Sequence, residues 1–176
     1  RIQEQKGQIE TIKFLDNFRK VEKNFSCYFV GGPSGKSGNE YFEELKKTVL
    51  DLNLESHIEF LDNLPQTEIR DLLNKSKLLI HTSKFETFGL VAAEANAMGV
   101  PVLTTNSGSV LEIVESNENG YYSESLIDGN VNNFVKELLN NNDKFHEIML
   151  NCLDKSKAYS WANTAREIEI LYKDFA

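Results

Sequence analysis

The chain has 176 residues with 40% hydrophobic content, enough for one compact domain with a core and too little for a second domain. Nineteen basic against 27 acidic residues give a net charge of −8, which argues against nucleic acid or another polyanion as partner but leaves room for a few local cations. No apolar run approaches the roughly 18 residues of a membrane span, and the start shows no signal-peptide pattern. Cys27 and Cys152 lie far apart without metal-ligand spacing and read as reduced thiols, so a cytoplasmic setting is expected.

In chain order, Ile9, Ile12, Phe14, Leu15 and Phe18 fall at helical spacing, and Cys27 to Val30 form a short apolar strand. Phe42, Leu45, Val49 and Leu52 predict a second helix, Ile58 to Leu61 a strand, and Ile69, Leu72 and Leu73 a third helix. Leu78 to His81 reads as a buried strand, Ser83 to Thr87 as a loop, Leu90 to Met98 as an alanine-rich helix, and Val100 to Leu103 as the next strand. Short apolar strands with helical crossovers predict a Rossmann-like α/β fold, a parallel sheet with helices on both faces. Ser109 and Glu112 fit a capping box, Asn119-Gly120 a turn before Tyr121 and Tyr122, and the chain from about Asn132 onward a polar helical region. Within it, Trp161 is expected to anchor its helix to the sheet, and the run from Leu138 to Asp143 to be a polar helix end or loop.

The segment from Ser83 to Val102 carries the most chemistry. Glu86 and Glu94 stand eight residues apart around a strand-to-helix junction, where Phe88, Gly89, Leu90 and Val91 offer backbone N–H groups at a helix start. Gly89 is expected to let a ligand approach that backbone, and two carboxylates beside an anion-favouring helix end suit a sugar nucleotide. Alone, either acid reads as a solvated surface group; the joint spacing around Phe88-Gly89 is what raises the functional reading. A competing motif runs from Val30 through Gly31-Gly32-Pro33-Ser34-Gly35-Lys36-Ser37 and imitates a nucleotide-triphosphate loop. Its spacing fails, because the first required glycine falls on Val30, and Gly38 and Asn39 follow where such a loop would already be helical. His57, His81 and His146 share no short spacing with each other or with a cysteine, so no metal site is expected and each reads as ordinary.

These residues resemble the donor-binding C-terminal half of the GT-B glycosyltransferases of glycosyltransferase family 4, also called group 1. The resemblance lies in Glu86, seven residues, then Glu94, with Phe88-Gly89, Glu94-Ala95, Ala97, Gly99, Pro101-Val102 and Ser107-Gly108. Arg1 and Lys6-Gly7 fit the family's Gly-Arg loop, Phe60-Leu61-Asp62-Asn63-Leu64 a strand and following turn, and Ser160-Trp161 its usual ending. The resemblance implies that Arg1 and Lys6 bind the diphosphate of a nucleotide-sugar donor, and that Glu86, the catalytic assignment, accepts hydrogen bonds from the donor sugar. Glu94 would accept them from the ribose, Phe88 to Val91 would offer N–H groups to sugar or phosphate oxygens, and Leu64 and Gly31 would border the base.

The resemblance further implies a retaining, metal-independent transferase that needs no cofactor. Residues 1–176 would form one donor-binding domain whose first strand and N-terminal acceptor domain are missing, so that the chain alone binds donor weakly or not at all and does not turn over. Any membrane association would belong to the missing domain. Two other readings stay open: a non-catalytic nucleotide-sugar binding module, and a GT-B sugar-nucleotide epimerase. A phosphorylase would need a pyridoxal-phosphate lysine, which nothing marks.

Overall fold

A computed structural model describes residues 1–105 and 108–175. Five short strands, β1 (Cys27–Val30), β2 (Ile58–Leu61), β3 (Leu79–His81), β4 (Val102–Thr104) and β5 (Gly120–Tyr122), alternate with helices. These are α1 (Gln8–Phe18), α2 (Gly35–Asp51), α3 (Gln66–Lys75), α4 (Leu90–Ala97) and the single turn α5 (Val110–Ile113), followed by α6 (Gly129–Asn140), α7 (Asn142–Ser156) and α8 (Trp161–Asp174). Every described pairing is parallel: β1 with β2 in one block, and β3, β4 and β5 in order in the other. This is the expected α/β architecture.

β3 and β4 are apolar because both of their faces are covered, whereas Tyr28 and Glu59, opposite each other on β1 and β2, are exposed. Side chains alternate across a strand, and Leu79 and Val102 point into a cluster with Ala92, Ala95, Val110 and Ile113 from α4 and α5. Their neighbours Ile80 and Leu103, with Tyr121, point the other way, into a larger cluster with Ile12, Phe14 and Leu15 of α1 and Val131, Val135 and Ile148 of α6 and α7. Across β1 and β2, Phe29 pairs with Phe60, and their rings stack at 5.3 Å between centroids.

Several boundaries differ from the sequence reading for local reasons. Val100 belongs to the end of α4 and not to β4. Its N–H donates to Ala95 O at 2.8 Å and the Gly99 N–H to Asn96 O at 2.9 Å, the paired bonds of a Schellman cap, with Gly99 at φ 72°. Only after Pro101 does the chain join the ladder. The capping box at Ser109 does not form: Ser109 has helical backbone, and its Oγ donates instead to Glu86 O at 3.3 Å. Asn119 does lie in a turn, yet it is fully buried. Its side chain donates to Asn96 Oδ1 and Ile113 O and accepts from Glu115 N–H, stitching α4 to the approach to β5.

The C-terminal region is less polar than its composition suggests. α6 buries Val131, Phe134, Val135 and Leu138, and α7 buries Ile148 and Cys152. Asn141, inside the asparagine-rich run, closes α6 and caps α7, its Oδ1 accepting from the N–H groups of Asp143 and Lys144 at 3.1 Å. α8 has no buried residue among those described, and Trp161 is 88% exposed, so it does not anchor the helix to the sheet. Trp161→Ser is therefore expected to change the stability of this chain by no more than about 0.5 kcal/mol in urea unfolding; a buried anchor would cost several times that.

Candidate donor site at the end of the sheet

The site lies where the segment 1–7 crosses the C-terminal ends of β1 and β3. On one side, Ile2 pairs with Pro33 just beyond β1, its N–H donating to Gly32 O at 3.0 Å. On the other, Lys84 N–H donates to Gln5 O at 2.8 Å, and Thr82 Oγ1 donates to Gly7 O at 2.9 Å. Glu4 and Lys84 pair at 2.8 Å. The segment is thus clamped along its length, and Lys6 is carried to Glu86: Nζ lies 2.8 Å from Oε2.

Arg1 shares that neighbourhood. Its carbonyl accepts from Gln8 Nε2 at 3.0 Å. A Cβ on Gly31 would stand 2.9 Å from Arg1 N, so glycine is needed there to let the Arg1 backbone lie against the turn. The same turn meets the β2 loop, since Gly32 N–H donates to Asn63 Oδ1 at 3.1 Å. Gly31 and the half-buried Leu64 therefore belong to adjoining loops at one end of the sheet.

Glu86 is half-buried and held from several directions. Its carbonyl accepts from Ser109 Oγ, and its carboxylate meets Lys6 and, at 3.5 Å, His81 Nε2. The Lys6 hydrogen bond is the largest cause holding this carboxyl below its usual range; burial opposes it, and the Lys6 charge and His81 assist. A lowered folded-state value means that the stabilisation is complete above the unfolded carboxylate range, about pH 4, and is lost as pH falls through the folded value. Urea unfolding should accordingly show wild type more stable than Glu86→Gln at pH 7, with the gap closing below about pH 4; a gap independent of pH would contradict the pairing.

Downstream, Phe88, Leu90 and Val91 are exposed at the start of α4, and Gly89 is its N-cap. The first turn of a helix leaves backbone N–H groups without intrahelical acceptors and carries partial positive charge. Glu94 is exposed one turn after Leu90, and residues i and i+4 share a helix face. Gly89 itself is buried, and a Cβ there would lie 2.6 Å from Val110 Cγ2, so its glycine is required by packing on α5 rather than by ligand approach. Ser107 lies outside the described residues. The resemblance to a triphosphate loop fails for a reason beyond spacing, because the Lys36 side chain is 92% exposed and faces Glu40 at 3.9 Å. The helix α2 does begin at Gly35, so Gly38 and Asn39 are helical, contrary to the sequence expectation.

The family model for glycosyl transferases group 1 matches residues 1–151. The chain belongs to this family. Among curated group 1 relatives, the D-inositol 3-phosphate glycosyltransferase of Corynebacterium efficiens is 28% identical over 160 residues, covering 89% of this chain and 36% of that protein. The chain thus spans about a third of the length of the curated relatives it matches. Among solved structures, Anabaena HepE in complex with UDP and glucose superposes with TM-score 0.85 at 24% identity, covering 99% of this chain and 46% of that one. The C-terminal domain of a group 1 protein, LpcC of Francisella tularensis, gives TM-score 0.77 at 24% identity, covering 89% of this chain and 80% of that one. The fold is that of one half of a GT-B glycosyltransferase.

The sequence reading named Lys6, Glu86 and Glu94 and took His81 as ordinary, without its contacts. Its ring lies 6% exposed between Thr104 and Glu86. The only sequence signal was a polar residue closing an apolar strand five positions before Glu86. Among the described residues no group of three His, Cys, Asp or Glu side chains could hold a metal ion, and no helix is long and apolar enough to cross a membrane.

Proposed function

We propose that this chain is the donor-binding half of a retaining glycosyltransferase that moves a sugar from a nucleoside diphosphate to an acceptor hydroxyl. The observation that carries the reading is the 2.8 Å contact between Lys6 and Glu86, which sets a phosphate-seeking cation beside a sugar-seeking carboxylate near the open end of α4. Membership of the group 1 family and the UDP bound by the similarly folded HepE support it.

Transfer breaks the bond between the anomeric carbon and the diphosphate oxygen and forms one from that carbon to the acceptor oxygen; negative charge develops on the departing diphosphate, which takes up the acceptor hydroxyl's proton. Lys6 and Arg1 meet this charge with charge-assisted hydrogen bonds, and the N–H groups at Leu90 and Val91 add a fixed dipole. Glu86 accepts hydrogen bonds from sugar hydroxyls and so fixes which face of the anomeric carbon is open to the acceptor. Glu94 accepts from the two ribose hydroxyls, and the loops carrying Gly31 and Leu64 border the base. The donor is a substrate, and the scheme needs no cofactor. The acceptor reaches the sugar from outside this domain, so the chain alone binds donor weakly and does not turn over.

The test is ligand-observed NMR of this chain against uridine, guanosine and adenosine diphosphate sugars. Saturation transfer to one base series, lost on adding the matching free nucleoside diphosphate, is the expected result. No transfer to any series would overturn the reading.

A further inference from the structure

We propose that Tyr159 is a positioning residue of the donor site: its hydroxyl fastens the corner between α7 and α8 to α5, and its ring buttresses Phe88, so that the loop entering α4 keeps its N–H groups turned to the donor. The inference rests on the donor-site reading of Phe88 to Val91 and adds a residue from outside the segment that carries it.

The loop is held firmly at its two ends and less so between them. Glu86 is fixed by Lys6 and by Ser109, and Gly89 is buried against Val110 of α5. Thr87 and Phe88, between these two points, are exposed, so the core does not set their conformation. The ring of Tyr159 does reach them. It meets the Phe88 ring edge-on, with 6.0 Å between centroids and 84° between planes. That is a favoured arrangement of two aromatic rings, because the positive edge of one faces the negative face of the other. The backbone of Phe88 leads directly into the N-cap Gly89 and the first turn of α4, so a fixed Phe88 ring fixes the entry to that turn.

Tyr159 can support the loop because it is itself fastened. Its hydroxyl donates to Glu112 O of α5 at 3.0 Å. Nearby, Lys155 pairs with Glu115, tying the end of α7 to the residues just after α5. Ser160 follows as the N-cap of α8, its Oγ accepting from Asn163 N–H at 3.2 Å, and Asn163 Nδ2 donates back to Lys157 O at 2.7 Å. The turn that carries the ring is therefore closed on both sides. α5 supports the donor loop twice: directly, through Val110 under Gly89 and Ser109 on Glu86, and through Tyr159 at Phe88. A tyrosine suits this place because its ring and its hydroxyl reach two different elements; phenylalanine would keep the loop contact alone, and alanine neither.

Two measurements on this chain test the proposal. Proton NOE spectra of protein labelled at Phe and Tyr should show a cross-peak between the Phe88 and Tyr159 rings, and the 1H–15N heteronuclear NOE of the Thr87 and Phe88 amides should fall in Tyr159→Ala and hold in Tyr159→Phe. A missing cross-peak in wild type, or unchanged amides in the Ala variant, overturns it. In the second, affinity for whichever uridine, guanosine or adenosine diphosphate sugar wild type binds is compared in Tyr159→Ala, Tyr159→Phe, Phe88→Ala and the double Ala variant. Tyr159→Ala should lose about fivefold, the scale of one edge-on ring pair, and Tyr159→Phe should recover to within about twofold. The double variant should lose no more than Phe88→Ala alone, because the two rings act through one contact. No loss in Tyr159→Ala, or losses that multiply in the double variant, would overturn the positioning role. Should Tyr159→Ala fail to fold, Tyr159→Leu, which keeps bulk without a ring, takes its place in both measurements. If wild type binds none of the three sugars, the donor reading fails by itself, and the contact is judged by the cross-peak and the amide dynamics.

Discussion

Glu94→Ala is expected to weaken nucleoside diphosphate binding by about 100-fold, with or without the sugar, while leaving stability within about 0.5 kcal/mol of wild type. A carboxylate spanning a vicinal diol makes two charge-assisted hydrogen bonds, each contributing about 1.5 kcal/mol or more, and alanine removes both. Stability is spared because Glu94 is exposed on α4 and alanine is a strong helix former. Titration calorimetry or ligand-observed NMR reads the first effect and urea unfolding the second. Glu86→Ala should behave differently, losing the sugar-bearing ligand selectively, because in the proposed binding mode Glu86 addresses the sugar and Glu94 the ribose. Undiminished nucleotide binding by Glu94→Ala would remove the ribose assignment.

Gly7→Ala should destabilise the chain by about 3 kcal/mol or more and lower its melting temperature by roughly 6 to 12 °C. Gly7 has φ 67°, which costs an L-residue about 1 to 2 kcal/mol, and a Cβ there would fall well inside contact distance of the Thr82 carbonyl oxygen. That oxygen is backbone at the end of β3 and cannot rotate away. The segment 1–7 would have to lift from residues 82–86, taking Lys6 from Glu86 and opening the clamp that Gln5, Gly7, Thr82 and Lys84 form. Donor affinity should therefore fall together with stability. A melting temperature within about 2 °C of wild type would mean that the segment is not held as described.

What could be read from the chain was what repeats along it. Runs rich in β-branched, aromatic and other apolar residues such as Cys27 to Val30 and Ile58 to Leu61 announce strands, and each became a strand with those bounds, with Tyr28 and Glu59 paired on an exposed face. The Glu86 to Glu94 spacing announced a loop and a helix start because it carries Gly89 and an alanine-rich run between and beyond the acids. What could not be read was pairing across the sheet. Asn96 and Asn119 looked like a helix residue and a turn residue, yet both are wholly buried and bonded to each other, and no local pattern marks a partner 23 positions away. His81 was opaque for the same reason, since Thr104 and Glu86 become its neighbours only when β3 and β4 pair and the loop folds back. Trp161 misled by type: a large aromatic ring on a helix suggests burial, but α8 presents it to solvent in this chain.

Where a donor touches this domain is read by backbone 1H–15N mapping during titration with the nucleoside diphosphate sugar selected from the panel. The predicted shifts centre on Lys6, on Glu86 to Val91 and Glu94, and on the loops at Gly31 and Leu64. Shifts gathered instead in the 240 Å³ cleft beside Tyr121, Phe134 and Lys144, with residues 86–94 unmoved, would contradict it.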